Sequence, residues 1–322
     1  MSAQAQSVMS EQERMRYVGP VLYIAGLGRS GSTMLECVLG SHPEVAALGE
    51  VLHLWDRGIV KDELCGCGAP FSACDFWLAV GDRAFGGWAR VDLERVSVLH
   101  DAVDRHRRIA KVLSPIQTSN YRRLIRLYND LYLRIYDAAA EVSGARLVID
   151  SGKHGSLAAS LANSDEIDLR VLHIVRDATA VAFSWSKAVH RPEAQSEEDA
   201  LMVRYSSPLS SALWMLQNLE VEALRAKGVT PVRLRYEDLV AQPPAALSHT
   251  LKRLGLSSFR PAVEGRVQLR TQHTVAGNPM RFSRGVLTLR RDDAWKASMA
   301  TRERRIVKAL TAPLRAAYGY SG

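Results

Sequence analysis

The stretch from Val21 to Thr33 limits what this 322-residue chain can fold into more than any other. Five apolar residues, Val21-Leu22-Tyr23-Ile24-Ala25, stop at Gly26 and give way to Leu27-Gly28-Arg29-Ser30-Gly31-Ser32-Thr33. A short apolar run closed by glycine reads as a buried strand, and a Ser/Thr pair before the next apolar run reads as a helix start. Between them the glycines let the backbone turn tightly and approach a ligand, and the free amides at the helix head offer a site for an anion. Strand, loop and helix in that order predict an α/β chain whose loop takes a phosphate-like group.

The spacing Gly26-x4-Gly31-Ser32-Thr33 differs from a nucleoside-triphosphatase loop at one point. Ser32 stands where the lysine that reaches the terminal phosphates belongs. The cation lies inside the loop instead, at Arg29. Phosphoryl transfer from ATP relies on that lysine and a metal to manage charge on the terminal phosphate, which argues against an ATP-dependent kinase. A transferred sulfuryl group carries less charge, and one loop cation with backbone amides suffices for it.

A second segment has the same design. Val171-Leu172-His173-Ile174-Val175 is an apolar strand ending at Arg176-Asp177, and Ser184 follows Arg176 by eight residues. Gly28-Arg29-Ser30-Gly31-Ser32-Thr33 resembles the 5′-phosphosulfate loop of sulfotransferases that use 3′-phosphoadenosine 5′-phosphosulfate (PAPS). Arg176 and Ser184 resemble that family's 3′-phosphate segment. The order of motifs is closest to bacterial members and to the protein-tyrosine and carbohydrate branch. The resemblance implies a single domain over residues 18–322, with a mainly parallel sheet flanked by helices, a flexible segment at 1–17, and an acceptor-site insertion over 51–120. It also implies sulfation of a hydroxyl on a small molecule, glycolipid or natural product, with PAPS as co-substrate and no metal. A non-catalytic nucleotide-binding scaffold and a small-molecule kinase are the alternatives.

Glu50 follows the short extended piece Val45 to Gly49, where a carboxylate can point into the cleft of the phosphate loop. It stands 21 residues after Arg29, the offset of the general base in the resembled family. The other reading of Glu50 is a carboxylate serving the N-terminus of the segment from Val51. His53 is the rival base, since its ordinary pKa suits the task. Lys153, in Asp150-Ser151-Gly152-Lys153-His154 after the strand Arg146 to Ile149, either stabilises sulfate oxygens, as the resemblance implies, or pairs with Asp150. His154 is a further possible base or a helix-cap residue. Tyr236 ends a strand from Val232, and Asn278 and Arg281 lie in a glycine-bearing loop. The resemblance implies that these three contact the nucleotide.

A net charge of +8 suits an anionic ligand, while dispersed basic residues and the lack of a recognised motif argue against nucleic acid. Residues 1–16 are polar, unlike a signal peptide or anchor, and no apolar run reaches membrane-spanning length, so a cytoplasmic protein is expected. Between Asn120 and Ser143, Leu124, Leu127, Leu131, Ile135 and Ala138 recur at helical spacing and predict one long amphipathic helix. Residues 189–207 read as a loop over the acceptor. Cys65, Cys67 and Cys74 cluster and could hold zinc with a fourth ligand from elsewhere, but Cys-x-Cys-x6-Cys fits no standard zinc spacing, so a tight packed turn is expected ahead of Phe71, Phe76 and Trp77.

Overall fold

β1, Val21–Ala25, sits at the centre of a five-stranded sheet with every pairing parallel. The computed structural model describes residues 19–191, 201–261, 263 and 265–320. The segment expected to be flexible at 1–17, and residues 192–200 of the loop expected over the acceptor, lie outside the described residues.

After β1 come α1 (Ser32–Leu39) and β2 (Val45–Ala47), then 3-10 and π-helical turns over 51–60. Residues without sharp periodicity form α2 (Asp75–Phe85), α3 (Leu93–Val103) and α4 (Ile109–Leu113). The long helix predicted from Asn120 is α5, Ser119–Ser143, closed by Gly144 in the left-handed conformation. β3 (Leu147–Lys153), α6 (Gly155–Leu161), β4 (Leu169–Val175) and α7 (Ala178–Ser186) follow. The chain continues through α8 (Ser207–Ala223), β5 (Val232–Arg235), α9 (Tyr236–Ala241) and α10 (Pro243–Arg253). A small antiparallel pair, β6 (Arg266–Leu269) and β7 (Gly285–Thr288), precedes α11 (Ala294–Ser298) and α12 (Thr301–Ala317).

The strand order β2-β3-β1-β4-β5 places both neighbours of β1 later in the chain. The chain leaves β1 for one side of the sheet and crosses to the other after β3, so the loops at the carboxyl ends of β1, β3 and β4 part there. Ligands of open α/β sheets bind in such a crevice. The sheet is buried on both faces, as the unbroken apolar strands require. Tyr23, Ala25, Val148 and Val171 face a core with α2, α3 and α5, while Leu22, Ile24, Ile149, Leu172 and Ile174 face one with α1 and α10.

Two details depart from expectation. On α5 the fully buried line is Tyr121, Ile125, Tyr128, Tyr132, Ile135 and Tyr136, while Leu124, Leu127 and Leu131 are only partly buried. The tyrosines win the interior because their hydroxyls find partners there. Tyr128 donates to Asp104 at 2.9 Å and Tyr136 to Asp150 at 2.6 Å. The second departure is a break in the β1–β3 register. Tyr23 lies opposite Asp150, but Ala25 lies opposite Lys153, so β3 holds one residue more than β1 over that step. A bulge of this kind re-aims the side chain that follows it, and Lys153 takes a positive φ of 67°.

No helix among the described residues is long and apolar enough to cross a membrane.

Candidate active site

The carboxyl ends of β1, β3, β4 and β5 open into one cavity of about 780 Å³. Gly28, Arg29, Gly31, Ser32, Thr33, Glu50, Arg176, Ser184, Tyr236 and Asn278 line it, together with Lys153. Two expected residues do not line it. Ser30 is 1% exposed, tucked under the loop. Arg281 is 3% exposed, and its Nη1 donates to the Thr274 carbonyl at 2.9 Å. It braces the backbone from which Gly277 and Asn278 project.

The loop after β1 is held by its shape. Gly31 is the N-cap of α1 at φ 96°, and a Cβ there would fall 2.7 Å from the Tyr236 ring. Among the described residues no side chain caps α1, so its first-turn amides face the cavity without a capping partner there. Arg29 also has a positive φ, 71°. Its guanidinium lies 5.1 Å from the centre of the Trp185 ring, Nη2 is 3.0 Å from the Met202 sulfur, and Nε is buried with no hydrogen-bond partner among the described residues. Burial pulls its pKa down, with the Glu50 carboxylate opposing. An anion in the loop would satisfy both the amides and this cation.

Glu50 follows the β2 edge, fixed through its own backbone. Its N–H donates to the Val275 carbonyl at 2.8 Å, and the Val275 N–H donates to the Leu48 carbonyl at 2.8 Å. The side chain caps nothing, contrary to the reading of Glu50 as a helix N-terminal carboxylate. It pairs with Lys153 Nζ, and His53 Nε2 lies 3.6 Å from its second oxygen. Burial alone would raise the carboxyl; Lys153, then His53 and Arg57, outweigh it and hold Glu50 at about 2. Lys153 therefore does not pair with Asp150, as one sequence reading had it. The register break turns it toward Glu50, and Asp150 turns inward to Tyr136 and to the backbone of Gly152.

Glu36 buttresses this corner. Its two oxygens accept from the Gly49 N–H and the Ser151 hydroxyl, each at 2.7 Å, and burial raises its carboxyl to about 7.

At the other end, Arg176 leaves β4 and lies over the Tyr236 ring at 4.4 Å. Nη2 donates to Asp292 Oδ2 at 3.1 Å and to the Asp292 carbonyl at 3.0 Å, and Nη1 to the Arg29 carbonyl at 3.3 Å. Arg176 and Asp177 are not an ion pair. Asp177 caps α7 by accepting from the Thr179 N–H at 2.7 Å, and it receives Arg315 Nη2 at 2.9 Å. Tyr236 packs on Gly31 and spends its hydroxyl on the Arg290 carbonyl at 3.3 Å. Asn278 caps a 3-10 turn through its side chain.

A second cavity of about 440 Å³, walled by Leu52, Trp55, Val60, Leu93 and Val96, shares His53, His106 and His154 with the first. His154 stands between the other two rings, 6.4 Å from His53 and 5.7 Å from His106. Burial lowers both His53 and His154, the latter to about 3, so both are neutral near pH 7. His106 is raised by its 2.8 Å bond to Glu220. Sequence reasoning passed over His106 and Asp292. The only signal for His106 was a histidine inside the charged piece 101–111, and for Asp292 its place beside Trp295 and Lys296.

No protein-family model and no curated protein matches the chain. Among solved structures it is similar to the sulfotransferase domain of the Synechococcus PCC 7002 olefin synthase, with a TM-score of 0.44 and 19% identity over 91% of this chain and 95% of that one. It is also similar to the sulfotransferase STF1 of Mycobacterium tuberculosis H37Rv, with a TM-score of 0.42 and 17% identity over 79% and 72% of the two chains. For the sulfotransferase STF9 of Mycobacterium avium the TM-score is 0.38 and the identity 12%, over 81% and 69%.

Proposed function

We propose that this chain is a PAPS-dependent O-sulfotransferase. The observation that carries the reading is the gathering, around one cavity, of a loop with uncapped amides and a half-buried arginine, a carboxylate locked to a lysine, and a strand-end arginine. Arg29, Ser32, Thr33 and the amides at the head of α1 hold the 5′-phosphosulfate. Arg176 and Ser184 hold the 3′-phosphate that separates PAPS from ATP, with Asp292 giving way. Tyr236 and Asn278 shape the wall between these two sites.

Glu50 removes the proton from the acceptor hydroxyl as its oxygen attacks sulfur. The bond from sulfur to the phosphate oxygen breaks, and adenosine 3′,5′-bisphosphate leaves with the developing charge on Arg29 and the loop amides. A base held at about 2 is too weak to take a proton from a hydroxyl. Lys153 resolves this: drawn to the anionic sulfuryl oxygens, it leaves Glu50 buried without its counter-charge, and burial then raises the carboxyl. His53, neutral and within 3.6 Å of Glu50, is the rival base. The acceptor approaches through the apolar cavity of Leu52, Trp55 and Val96, past the three histidines.

The test is calorimetric titration with adenosine 3′,5′-bisphosphate and, separately, ATP with magnesium, on wild type and Arg176→Ala. Bisphosphate binding that weakens on mutation supports the reading and justifies a screen of acceptor hydroxyls with PAPS. Preference for ATP with magnesium points to a kinase, and binding of neither points to a scaffold without a nucleotide.

A further inference from the structure

Cys65, Cys67 and Cys74 lie in the turns that lead into α2, and His273 reaches them from 199 residues beyond Cys74. The three sulfurs and the His273 ring nitrogen all lie within 4.8 Å of one another. Cys65 and Cys67 stand 3.6 and 3.8 Å from the Cys74 sulfur, and His273 Nδ1 is 3.2 Å from Cys74 and 3.9 Å from Cys65. These are not disulfides, whose sulfurs approach to about 2.0 Å, and all the cysteines are free. Zinc bonds of about 2.3 Å to sulfur and about 2.0 Å to nitrogen give tetrahedral edges of about 3.8 Å between sulfurs and about 3.6 Å from sulfur to nitrogen. Four of the separations, 3.2 to 3.9 Å, match these edges, and the other two are no longer than 4.8 Å, so the four atoms cluster at zinc-site size.

We propose that Cys65, Cys67, Cys74 and His273 form a Cys3His zinc site. The donors are those zinc prefers, and four protein ligands fill a tetrahedron, which makes the site structural rather than catalytic. The spacing Cys-x-Cys-x6-Cys matches no standard zinc pattern, but the fold brings the fourth ligand, His273, from a distant part of the chain.

The surroundings hold the ligands in place. The Cys65 N–H donates to the Ala69 carbonyl and the Gly68 N–H to the Cys65 carbonyl, each at 2.8 Å, which folds the first two cysteines into a knuckle. Gly66 donates to the Thr274 carbonyl at 2.8 Å, and a Cβ on it would fall 2.3 Å from the Thr274 hydroxyl. Only glycine lets the knuckle lie this close to the segment that carries His273. The Phe76 ring stacks on His273, with centroids 4.8 Å apart, and Arg284 donates to the Gly66 carbonyl. Such outer contacts orient metal ligands.

The site ties two distant parts of the chain to the cavity wall. Val275, two residues after His273, exchanges backbone hydrogen bonds with Leu48 and Glu50, and Gly277 and Asn278 line the cavity. The metal therefore fastens the cysteine turns and the 273–278 segment to the strand edge that carries Glu50.

The experiment is metal analysis of the purified full chain by plasma mass spectrometry, with cobalt exchange read in the visible spectrum. One zinc per chain and the intense bands of tetrahedral cobalt with thiolate charge transfer are expected. Cys74→Ser and His273→Ala should each lose at least nine-tenths of the metal, while Cys37→Ser, away from the cluster, keeps it. If the buried positions fail to fold, Cys67→Ser, half-buried, reports the same loss, and the cobalt spectrum of wild type decides the donor set without any variant. A chain that purifies without metal and gives no cobalt bands overturns the proposal. So does metal that persists in the variants, or a mass two hydrogens low for a disulfide within the cluster.

Discussion

Lys153 and Glu50 face each other at 14% and 10% side-chain exposure, whereas Arg176, at 7%, faces an Asp292 that is 43% exposed. Both are cation–carboxylate pairs at the rim of one cavity. In the first, both charges have left water and neither can separate without a replacement, because an unpaired buried charge is costly. In the second, only the arginine is committed; its partner keeps access to solvent and gives way at little cost. Burial raises the Asp292 carboxyl while Arg176 outweighs it and holds it below its usual range. Under the proposed function, the exposed pair is where a ligand anion exchanges for a protein one, and the buried pair is where a proton is handled.

The comparison breaks first at Glu50. Glu50→Ala should lower turnover about 10²- to 10⁴-fold, the usual contribution of a positioned base, and leave bisphosphate affinity within a few-fold. Steady-state kinetics beside calorimetry check this, and unchanged turnover with His53→Ala inactive would move the role to His53. Arg176→Ala should weaken bisphosphate binding by about 10- to 100-fold, from charge-assisted hydrogen bonds of about 1.5–3 kcal/mol, with the loss shrinking at high salt.

Lys153→Met sharpens the contrast. With its cation gone, the buried Glu50 carboxyl rises from about 2, so the acid limb of the kcat/KM profile moves to higher pH. A limb that stays in place would mean that Lys153 does not hold Glu50 down. Asp292→Asn should have the smallest effect and the opposite sign, a few-fold gain in bisphosphate affinity seen by calorimetry, since the ligand no longer displaces a carboxylate.

A pH test isolates the corner behind Glu50. Glu36 sits at about 7 in the fold against an ordinary 4.5, so between these values the folded chain keeps a proton that the unfolded chain has released. That contribution is present below 4.5 and is lost as pH rises to 7. Glu36→Gln should therefore flatten the fall in urea midpoint between pH 5 and 8; Asp150, also raised to about 7, leaves part of the slope.

What was legible in the sequence was what is local. Val21 to Thr33 and Val171 to Asp177 each write a strand, its end and the next helix start in consecutive residues, so the α/β pattern and the two loop cations could be read directly, while the parallel sheet came from the resemblance. Ser30 and Arg281 sit in the expected segments, yet Ser30 is buried and Arg281 donates to the Thr274 carbonyl, a choice that depends on packing and not on spacing. Asp292 meets Arg176 across 116 residues, and nothing in either segment names the other. On α5, leucines and tyrosines share the helical period, and only Asp104 and Asp150 in the interior decide that the tyrosines are buried.

The extra residue in β3 gives the chain a property that substitution alone cannot probe. In a paired strand, the face a side chain occupies follows from its place in the count, so the meeting of Lys153 with Glu50 is written in the length of 150–153 as much as in the letters. Removing Gly152 would restore an even ladder against Tyr23 and Ala25 and at the same stroke remove the bulge and the left-handed turn that aim the lysine at Glu50. A chain of this kind can lose its chemistry by gaining regularity, and an alignment that scores only residue identity would record such a loss as a harmless gap.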